Sequence, residues 1–474
     1  MADFDLLIIG TGSGNSILTP DFDDWNVGII ERDVFGGTCL NRGCIPSKML
    51  VVPANRVVES SEAARLDVEF TPPTIDWPAM RDRIFGRIDP IAASGEEYRA
   101  GSDNVTVLRG DARLVDGHPV DGHPVDGHRV RLTAADGSEQ LVSADRIVLA
   151  AGARPRIPDI PGLADSPFHT SDSIMRIDAV PEHLVILGGG FIAAELGHVF
   201  AALGSRVSVV HRGSQLLRHE DSEVSARFTQ EFAKRIFLHL DTEVSRVDHD
   251  AAGFTLTLDC QSDGNAANLQ ELRCDSLLVT TGRIPNGEQL GVTNAGVRLD
   301  PGGYVVTDDT LSTGVPGIWA LGDIRNPLQL KHLANQEAAV VSHNLVHPDA
   351  PVSIDQGVVP RAVFSHPEVA SVGERHVDLD ARRHPYRVGH CDYSSVAYGW
   401  ALEDTSGFAK VLVCEETGEI LGAHIIGYHA ATLVQQIAAA MQFGITAERF
   451  AREQIWCHPA LPELLENALL DALG

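Results

Sequence analysis

The sequence predicts an α/β chain with two Rossmann-like dinucleotide-binding domains and a C-terminal α+β dimerisation domain. Three observations predict it. Short apolar runs stop at glycine-rich turns, a second copy of that pattern lies further along, and roughly the last 120 residues change to strand-like runs followed by amphipathic helices. At about 150 residues per domain, a chain of 474 residues has room for about three such units.

The first apolar run is Phe4 to Ile9, ending at Gly10, and the second is Val27 to Ile30, ending at Glu31. Between them stands Gly10-Thr11-Gly12-Ser13-Gly14-Asn15. Glycines there permit a tight turn and a close approach of a pyrophosphate to a helix N-terminus. Asn15 occupies the place of the usual third glycine, and Pro20 cuts the following helix short. Glu31 comes 21 residues after Gly10, where an acid bonds ribose hydroxyls. The pattern returns with Leu184 to Leu187, Gly188-Gly189-Gly190 and Val207 to Val210. Here the strand end carries His211, Arg212 and, six residues on, Arg218 in place of an acid. Guanidinium groups pair with a 2′-phosphate that an acid would repel, so this second site is expected to prefer NADPH to NADH.

Between the two units, Asp-Gly-His occurs three times from Asp116 to His128. Asp-Gly is a hairpin-turn signal, and Val105 to Leu108 and Val130 to Leu132 on either side read as strands. The repeat is read as an exposed hairpin loop and not as a metal site. In the last part of the chain, strand-like runs at Ala362–Phe364, Lys410–Val413 and Ile420–Ile426 precede helical stretches at Thr432–Phe443 and Pro462–Leu470. An antiparallel sheet backed by helices is the expected arrangement.

Lys and Arg total 37 against 65 Asp and Glu, a net charge of −28. That argues against a nucleic-acid or anionic-lipid partner, because both need cationic patches. The acidic start of the chain has no basic segment ahead of an apolar stretch, and no run of 18 apolar residues occurs, so a cytoplasmic protein with no membrane association is expected. Seven cysteines are too few to staple this chain. Cys260, Cys274, Cys391 and Cys414 read as small apolar or idle thiols, while Cys457, beside His458, stays undecided.

The segment Gly36-Gly37-Thr38-Cys39-Leu40-Asn41-Arg42-Gly43-Cys44-Ile45-Pro46-Ser47-Lys48 holds two cysteines five apart. A helix brings them within bonding distance only if its backbone is distorted, and Gly43 favours that. A disulfide closing so small a loop stabilises little. Zinc would need two more ligands at suitable spacing, so no metal is expected. A redox pair that opens and closes by exchange is the better explanation.

This segment resembles the active-site signature of the class I pyridine nucleotide-disulfide oxidoreductases. Gly110-Asp111-Ala112, Ala150-Ala151-Gly152, Thr280-Thr281-Gly282-Arg283, Gly317 to Asp323 and His458-Pro459-Ala460-Leu461-Pro462-Glu463 resemble other marks of that family, in the same order. The glycine loop at Gly10, Phe85 to Ile91 and Val396 to Gly407 resemble the branch that reduces mycothione. The resemblance implies FAD and NADPH as cofactors, a small-molecule disulfide as substrate, and a homodimer whose active sites are shared between subunits. It implies catalytic roles for Cys39, Cys44, Lys48, Glu195, His458 and Glu463, with Lys48 paired to Glu195 and Phe191 gating the flavin. The cofactor-binding set is Gly10, Gly12, Ser13, Gly14, Glu31, Gly37, Thr38, Ala112, Ala151, Gly152, Gly188, Gly190, Phe191, Ile192, His211, Arg212, Arg218, Gly282, Arg283 and Asp323. The implied domains are 1–154 (FAD, first part), 155–283 (NADPH), 284–353 (completing the FAD domain) and 354–474 (interface). The alternatives are a dihydrolipoamide dehydrogenase and a non-enzymatic flavin–thiol redox sensor.

Overall fold

A computed structural model describes residues 2–115, 127–260 and 268–474. All but the last two residues of the Asp-Gly-His repeat lie outside the described residues; its final His128 bonds the Pro316 carbonyl at 2.8 Å. The chain forms two compact units. One comprises residues 1–46, 80–156 and 283–356, the other 47–79, 157–282 and 357–474.

The first unit is built on the strand Phe4–Ile9, which pairs in parallel with Val27–Glu31 on one side and with Glu139–Leu149 on the other. Val105–Arg109 extends the sheet beyond Val27–Glu31, also in parallel. Glu139–Leu149 has two tasks. Its C-terminal part pairs in parallel with Phe4–Ile9 and Ile318–Ala320, while its N-terminal part pairs antiparallel with His128–Thr133. Leu6, Leu7, Ile8, Ile147 and Val148 are fully buried, as expected for strands covered on both faces. Burial of each such side chain contributes roughly 1.5–3 kcal/mol. Gly10, Glu31, Ala150 and Leu321 therefore all lie at the carboxyl ends of parallel strands, where α/β sheets bind ligands.

One expected feature takes a different form. The first glycine loop leads not into an α-helix but into two short 3₁₀ turns, Gly14–Ser16 and Pro20–Phe22. Asn15 lies in the first of these turns, where the Arg99 guanidinium donates to its side-chain and backbone oxygens, both at 2.7 Å. Pro20 then removes a backbone donor.

The second unit repeats the parallel design in the order Phe237–His239, Arg206–Val210, His183–Leu187, Ser276–Val279. Here an α-helix, Phe191–Ala202, does follow the glycine turn. The same unit holds the five-stranded antiparallel sheet Arg361–Val363, Val369–Gly373, Ile420–Ile426, Phe408–Cys414, Tyr386–Asp392. Helices Ala430–Gln442 and Glu463–Leu473 give Ile437, Leu464 and Leu465 to its core, beside Val411 and Ile425. Among the described residues no helix is long and apolar enough to cross a membrane.

Candidate active site

The thiol pair is made by a broken helix. Gly36 (φ +96°) and Gly37 (φ +70°) turn the chain into the short helix Gly37–Arg42, which carries Thr38 and Cys39 in its first turn. At Gly43 the backbone leaves helical geometry, with φ −134° and ψ −120°, and a new helix, Cys44–Glu62, begins at once. A Cβ on Gly43 would stand 3.0 Å from the Thr38 carbonyl oxygen, so the break packs tightly on the Cys39 turn. Asn41, which the sequence reading had not singled out, is buried and donates to the carbonyls of Phe35 (2.9 Å) and Gly37 (3.0 Å). Arg42 pairs with Asp33 at 2.6 Å, which accounts for a basic residue inside the motif.

Cys39 and Cys44 stand as hydrogen-bonded thiols. That bond holds the proton on Cys39 and pushes its thiol far above the ordinary cysteine range; burial and charge on Cys44 act in the same direction. Cys39 therefore needs a base to ionise it.

Around the first glycine loop the fit to a dinucleotide is close. A Cβ on Gly10 would collide with the Ala150 carbonyl oxygen at 2.4 Å, and one on Gly37 with Gly12 Cα at 2.6 Å, so backbone meets backbone with no side chains between. Glu31 Oε2 accepts from Thr11 N (3.0 Å) and Thr11 Oγ1 (2.6 Å), which fixes the carboxylate at the strand end. Gly152 (φ +63°) faces open space, and its neighbour Ala151 is held by Asn286 Nδ2 at 2.8 Å. Ala112 lies in the strand Asp111–Leu114. Asp323 sits in the turn Gly322–Ile324, and burial pushes its carboxyl up, opposed by Arg283. Arg283 also ties to the Ala153 carbonyl at 2.6 Å.

In the second unit, Gly188 (φ +117°) leaves no room for a Cβ beside the Thr280 carbonyl, whereas Gly190, capping the helix Phe191–Ala202, faces open space. Gly282 also adopts a positive φ, +119°. The His211 ring packs on Gly189, and Leu217 N donates to the Gly189 carbonyl at 2.8 Å, so the 211–218 segment folds against the glycine turn. Burial and then the charges of Arg218 and Arg212 hold the His211 imidazole below its ordinary pKa, and its Nε2 is buried with no partner. A helix N-terminus with open space and two exposed guanidiniums suit a phosphate-rich ligand. Ile192 follows Phe191, a residue 49% exposed.

Two further pairs complete the set. Lys48, one turn beyond Cys44 on its helix, binds both Glu195 oxygens at 2.7 Å. Glu195 also accepts from Phe364 N at 3.0 Å, and the ammonium lies 4.6 Å from the Phe364 ring centroid. His458 Nδ1 donates to Glu463 Oε1 at 2.7 Å, while Ala460 N donates to Oε2 at 3.0 Å. The His458 hydrogen bond, then the Ala460 one, holds the Glu463 carboxyl below its usual range. The carboxylate thereby fixes the tautomer and leaves Nε2 as the basic atom. The His458 side chain is 71% exposed. Cys457 is exposed too, and nothing in the structure assigns it a task; Cys274, Cys391 and Cys414 are buried.

The sequence model of the pyridine nucleotide-disulphide oxidoreductases matches residues 4–338, and that of their dimerisation domain matches 359–469. The chain belongs to this family. It is 43% identical to mycothione reductase from Mycobacterium tuberculosis over 99% of both chains. It is 32% identical to dihydrolipoyl dehydrogenase from Chlamydia trachomatis, covering 98% of this chain and 96% of the other. Among solved structures, the HOCl-induced flavoprotein disulfide reductase RclA from Escherichia coli superposes with a TM-score of 0.83 at 25% identity, over 99% of each chain. LpdA from M. tuberculosis gives the same TM-score and identity over 98% of this chain and 99% of that one.

As a family member the chain is an NADPH-dependent disulfide reductase that takes FAD and NADPH, consistent with the glycine cradles above. Two residues in its first unit had escaped the sequence reading. Glu337, fully buried, accepts from Gly322 N at 2.5 Å and Asn326 Nδ2 at 3.0 Å and pairs with Arg325, clamping the Asp323 turn. An acid on the buried face of a helix was the available signal. Lys331 donates to Ser13 Oγ at 2.8 Å, a partner 318 residues away that no local pattern announces.

Proposed function

We propose that the enzyme reduces mycothione to mycothiol through Cys39 and Cys44, in the cytoplasm, as a homodimer whose active sites are shared between subunits. The observation that carries the thiol chemistry is the Gly43 break, which ends the helix bearing Cys39 and starts a new one at Cys44. Identity of 43% along the whole chain to a mycothione reductase supports the substrate.

Bound FAD supplies the passage of two electrons from NADPH to the Cys39–Cys44 disulfide. Gly10, Gly12, Ser13, Gly14, Glu31, Gly37, Thr38, Ala112, Ala151, Gly152 and Asp323 would hold it. Gly188, Gly190, Ile192, His211, Arg212 and Arg218 would hold NADPH, with Phe191 as the gate and Gly282 and Arg283 closing the cofactor set. The Lys48–Glu195 pair would keep a fixed cation one turn beyond Cys44.

In the exchange, His458 takes the Cys39 proton and the Cys39 thiolate attacks one sulfur of the substrate disulfide. A mixed disulfide forms, and the leaving thiolate takes the proton from His458. Cys44, as the thiolate, then attacks Cys39 Sγ; the Cys39–Cys44 disulfide is restored, and the second substrate thiolate leaves and takes its proton from solvent. His458 and Glu463 would be supplied by the partner subunit through the dimerisation domain. The finer division we propose is 1–154 and 284–353 for FAD, 155–283 for NADPH and 354–474 for the interface.

The dihydrolipoamide reading is favoured by the relatives at 32% identity, but His211 stands where an NAD site carries an acid, followed by Arg212 and Arg218 as partners for a 2′-phosphate. The oriented His458–Glu463 pair weighs against a sensor, which needs no proton relay. The test is steady-state NADPH oxidation with mycothione, glutathione disulfide and lipoamide. Turnover on mycothione well above the other two is expected; preference for lipoamide with NAD would reject the assignment.

A further inference from the structure

One row of the antiparallel sheet is polar across all five strands. Arg361 stands directly opposite Ser371, Ser371 opposite His424, His424 opposite Lys410, and Lys410 opposite His390. Residues so aligned share one face of the sheet. Ser371, His424 and Lys410 are nevertheless buried, where a covered face usually carries apolar side chains. Four of the five reach an acidic stretch of the same unit, Glu220-Asp221-Ser222-Glu223. Arg361 Nε and Ser371 Oγ donate to Glu220 at 3.0 and 2.6 Å. Lys410 Nζ donates to Asp221 at 3.2 Å and pairs with Glu223 at 3.3 Å, and His390 Nε2 also lies 3.3 Å from Glu223. A buried ion pair adds little net stability once desolvation is counted, and its best-attested use is to fix one arrangement of the chain.

The acids fixed in this way adjoin Arg218. Leu216 and Leu217 are buried, Arg218 and His219 are exposed, and Glu220 and Asp221 are buried again, so Arg218 stands on a tip pinned at both ends. At one end Leu217 N donates to the Gly189 carbonyl at 2.8 Å and Leu216 N to Thr229 Oγ1 at 2.9 Å. At the other end the polar row holds Glu220 and Asp221, and Arg361 also reaches the His219 carbonyl at 3.5 Å. Glu220 N closes the tip on the Leu217 carbonyl at 2.8 Å. Leu217 itself has φ +53°, a left-handed conformation that a leucine keeps only where its surroundings over-determine it. Such outliers gather at ligand clamps.

We propose that the polar row is a remote support of the coenzyme selector, with Arg361 and Ser371 as positioning residues that hold Arg218 in place for the 2′-phosphate of NADPH. Both act through Glu220. With its partners removed, the Glu220 carboxylate turns to water and the tip loosens at its second pin. Ordering Arg218 on the phosphate then costs affinity. The effect is confined to ligands that carry the 2′-phosphate, and it is bounded by the loss that removing Arg218 itself would cause. Coenzyme choice is thus set partly by an antiparallel sheet that lies more than 140 residues along the chain from the selector.

The inference rests on the reading of Arg218 as a 2′-phosphate ligand, and its test uses no turnover. Calorimetric titration of the oxidised, FAD-loaded enzyme compares NADP⁺ with NAD⁺, which differ only in the 2′-phosphate. Arg361→Gln should bind NADP⁺ about tenfold more weakly and NAD⁺ as wild type does. Added to Arg218→Ala, it should weaken NADP⁺ binding no further, because both changes remove one and the same contact. Unchanged NADP⁺ affinity in Arg361→Gln, an equal loss for both coenzymes, or a full additional loss on top of Arg218→Ala would overturn the proposal. Ser371→Ala removes one bond to Glu220 and no charge, and it decides the matter if Arg361→Gln does not fold. NADP⁺ binding about two- to tenfold weaker with NAD⁺ unchanged is expected, and no change in either overturns the proposal. If Arg218→Ala alone leaves NADP⁺ binding intact, the 2′-phosphate reading fails and takes the inference with it. If Arg218→Ala weakens that binding and the Glu220 partners do not, the inference alone fails.

Discussion

Replacing His458 tests the acid–base half of the chemistry. The structure gives the imidazole one function and little else: it is 71% exposed, and its Nδ1–H···Glu463 bond is a local contact at the surface. His458→Ala should therefore leave the melting temperature within a degree or two of wild type. Its effect belongs to the transfer of the Cys39 proton, which the Cys44 hydrogen bond makes difficult. A positioned general base contributes about 10²–10⁴-fold, or roughly 3–5 kcal/mol of barrier. Glu463→Gln keeps the base but removes a charge-assisted bond worth about 1.5–3 kcal/mol, so a loss of roughly ten- to a hundredfold is expected. Stopped-flow absorbance separates the steps. Flavin reduction by NADPH should proceed at the wild-type rate in both variants, while reoxidation by the disulfide slows by these factors. Equal slowing of the two half-reactions, or none in the second, would refute the role given to His458.

Arg212→Ala and Arg218→Ala should each raise the KM for NADPH about ten- to a hundredfold, the loss of one charge-assisted bond, and leave the KM for NADH unchanged; parallel changes for both coenzymes would contradict the 2′-phosphate reading. Gly37→Ala places a Cβ 2.6 Å from Gly12 Cα at φ +70°. With the left-handed conformation alone costing an L-residue about 1–2 kcal/mol, the purified variant should lose most of its flavin absorbance. His198, fully buried against Asn55, is held well below its ordinary pKa by burial and by Arg235 and His366. The unfolded chain takes up that proton near pH 6.5 and the folded chain does not, so the contribution is present at neutral pH and lost as pH falls through that value. Thermal melts from pH 7.5 to 5.5 should fall less steeply for His198→Gln than for wild type; identical slopes would reject the buried neutral histidine.

The features legible in the sequence were those written in local spacing. The strands ending at Gly10 and Gly188, the break at Gly43 and the five-residue step from His458 to Glu463 each need only neighbours in the chain. The strand-like runs followed by helical stretches near the C-terminus likewise foretold the antiparallel sheet. What escaped were partners brought in by the sheet order. Lys331 reaches Ser13 only because Ile318–Ala320 pairs in parallel with Glu139–Leu149, itself beside Phe4–Ile9. Glu337 looks like a misplaced acid until the Asp323 turn is seen to need an acceptor for Gly322 N. Arg99 bonds Asn15 from 84 residues away. The Lys48–Glu195 pair, 147 residues apart, was reachable only through the family resemblance.

The most direct measurement is an anaerobic reductive titration of the purified yellow enzyme beside its Cys39→Ser and Cys44→Ser variants. If the two sulfurs store electrons in series with the flavin, wild type will take up twice as many electrons per FAD as either variant. Equal uptake by all three proteins would mean that the sulfurs hold none.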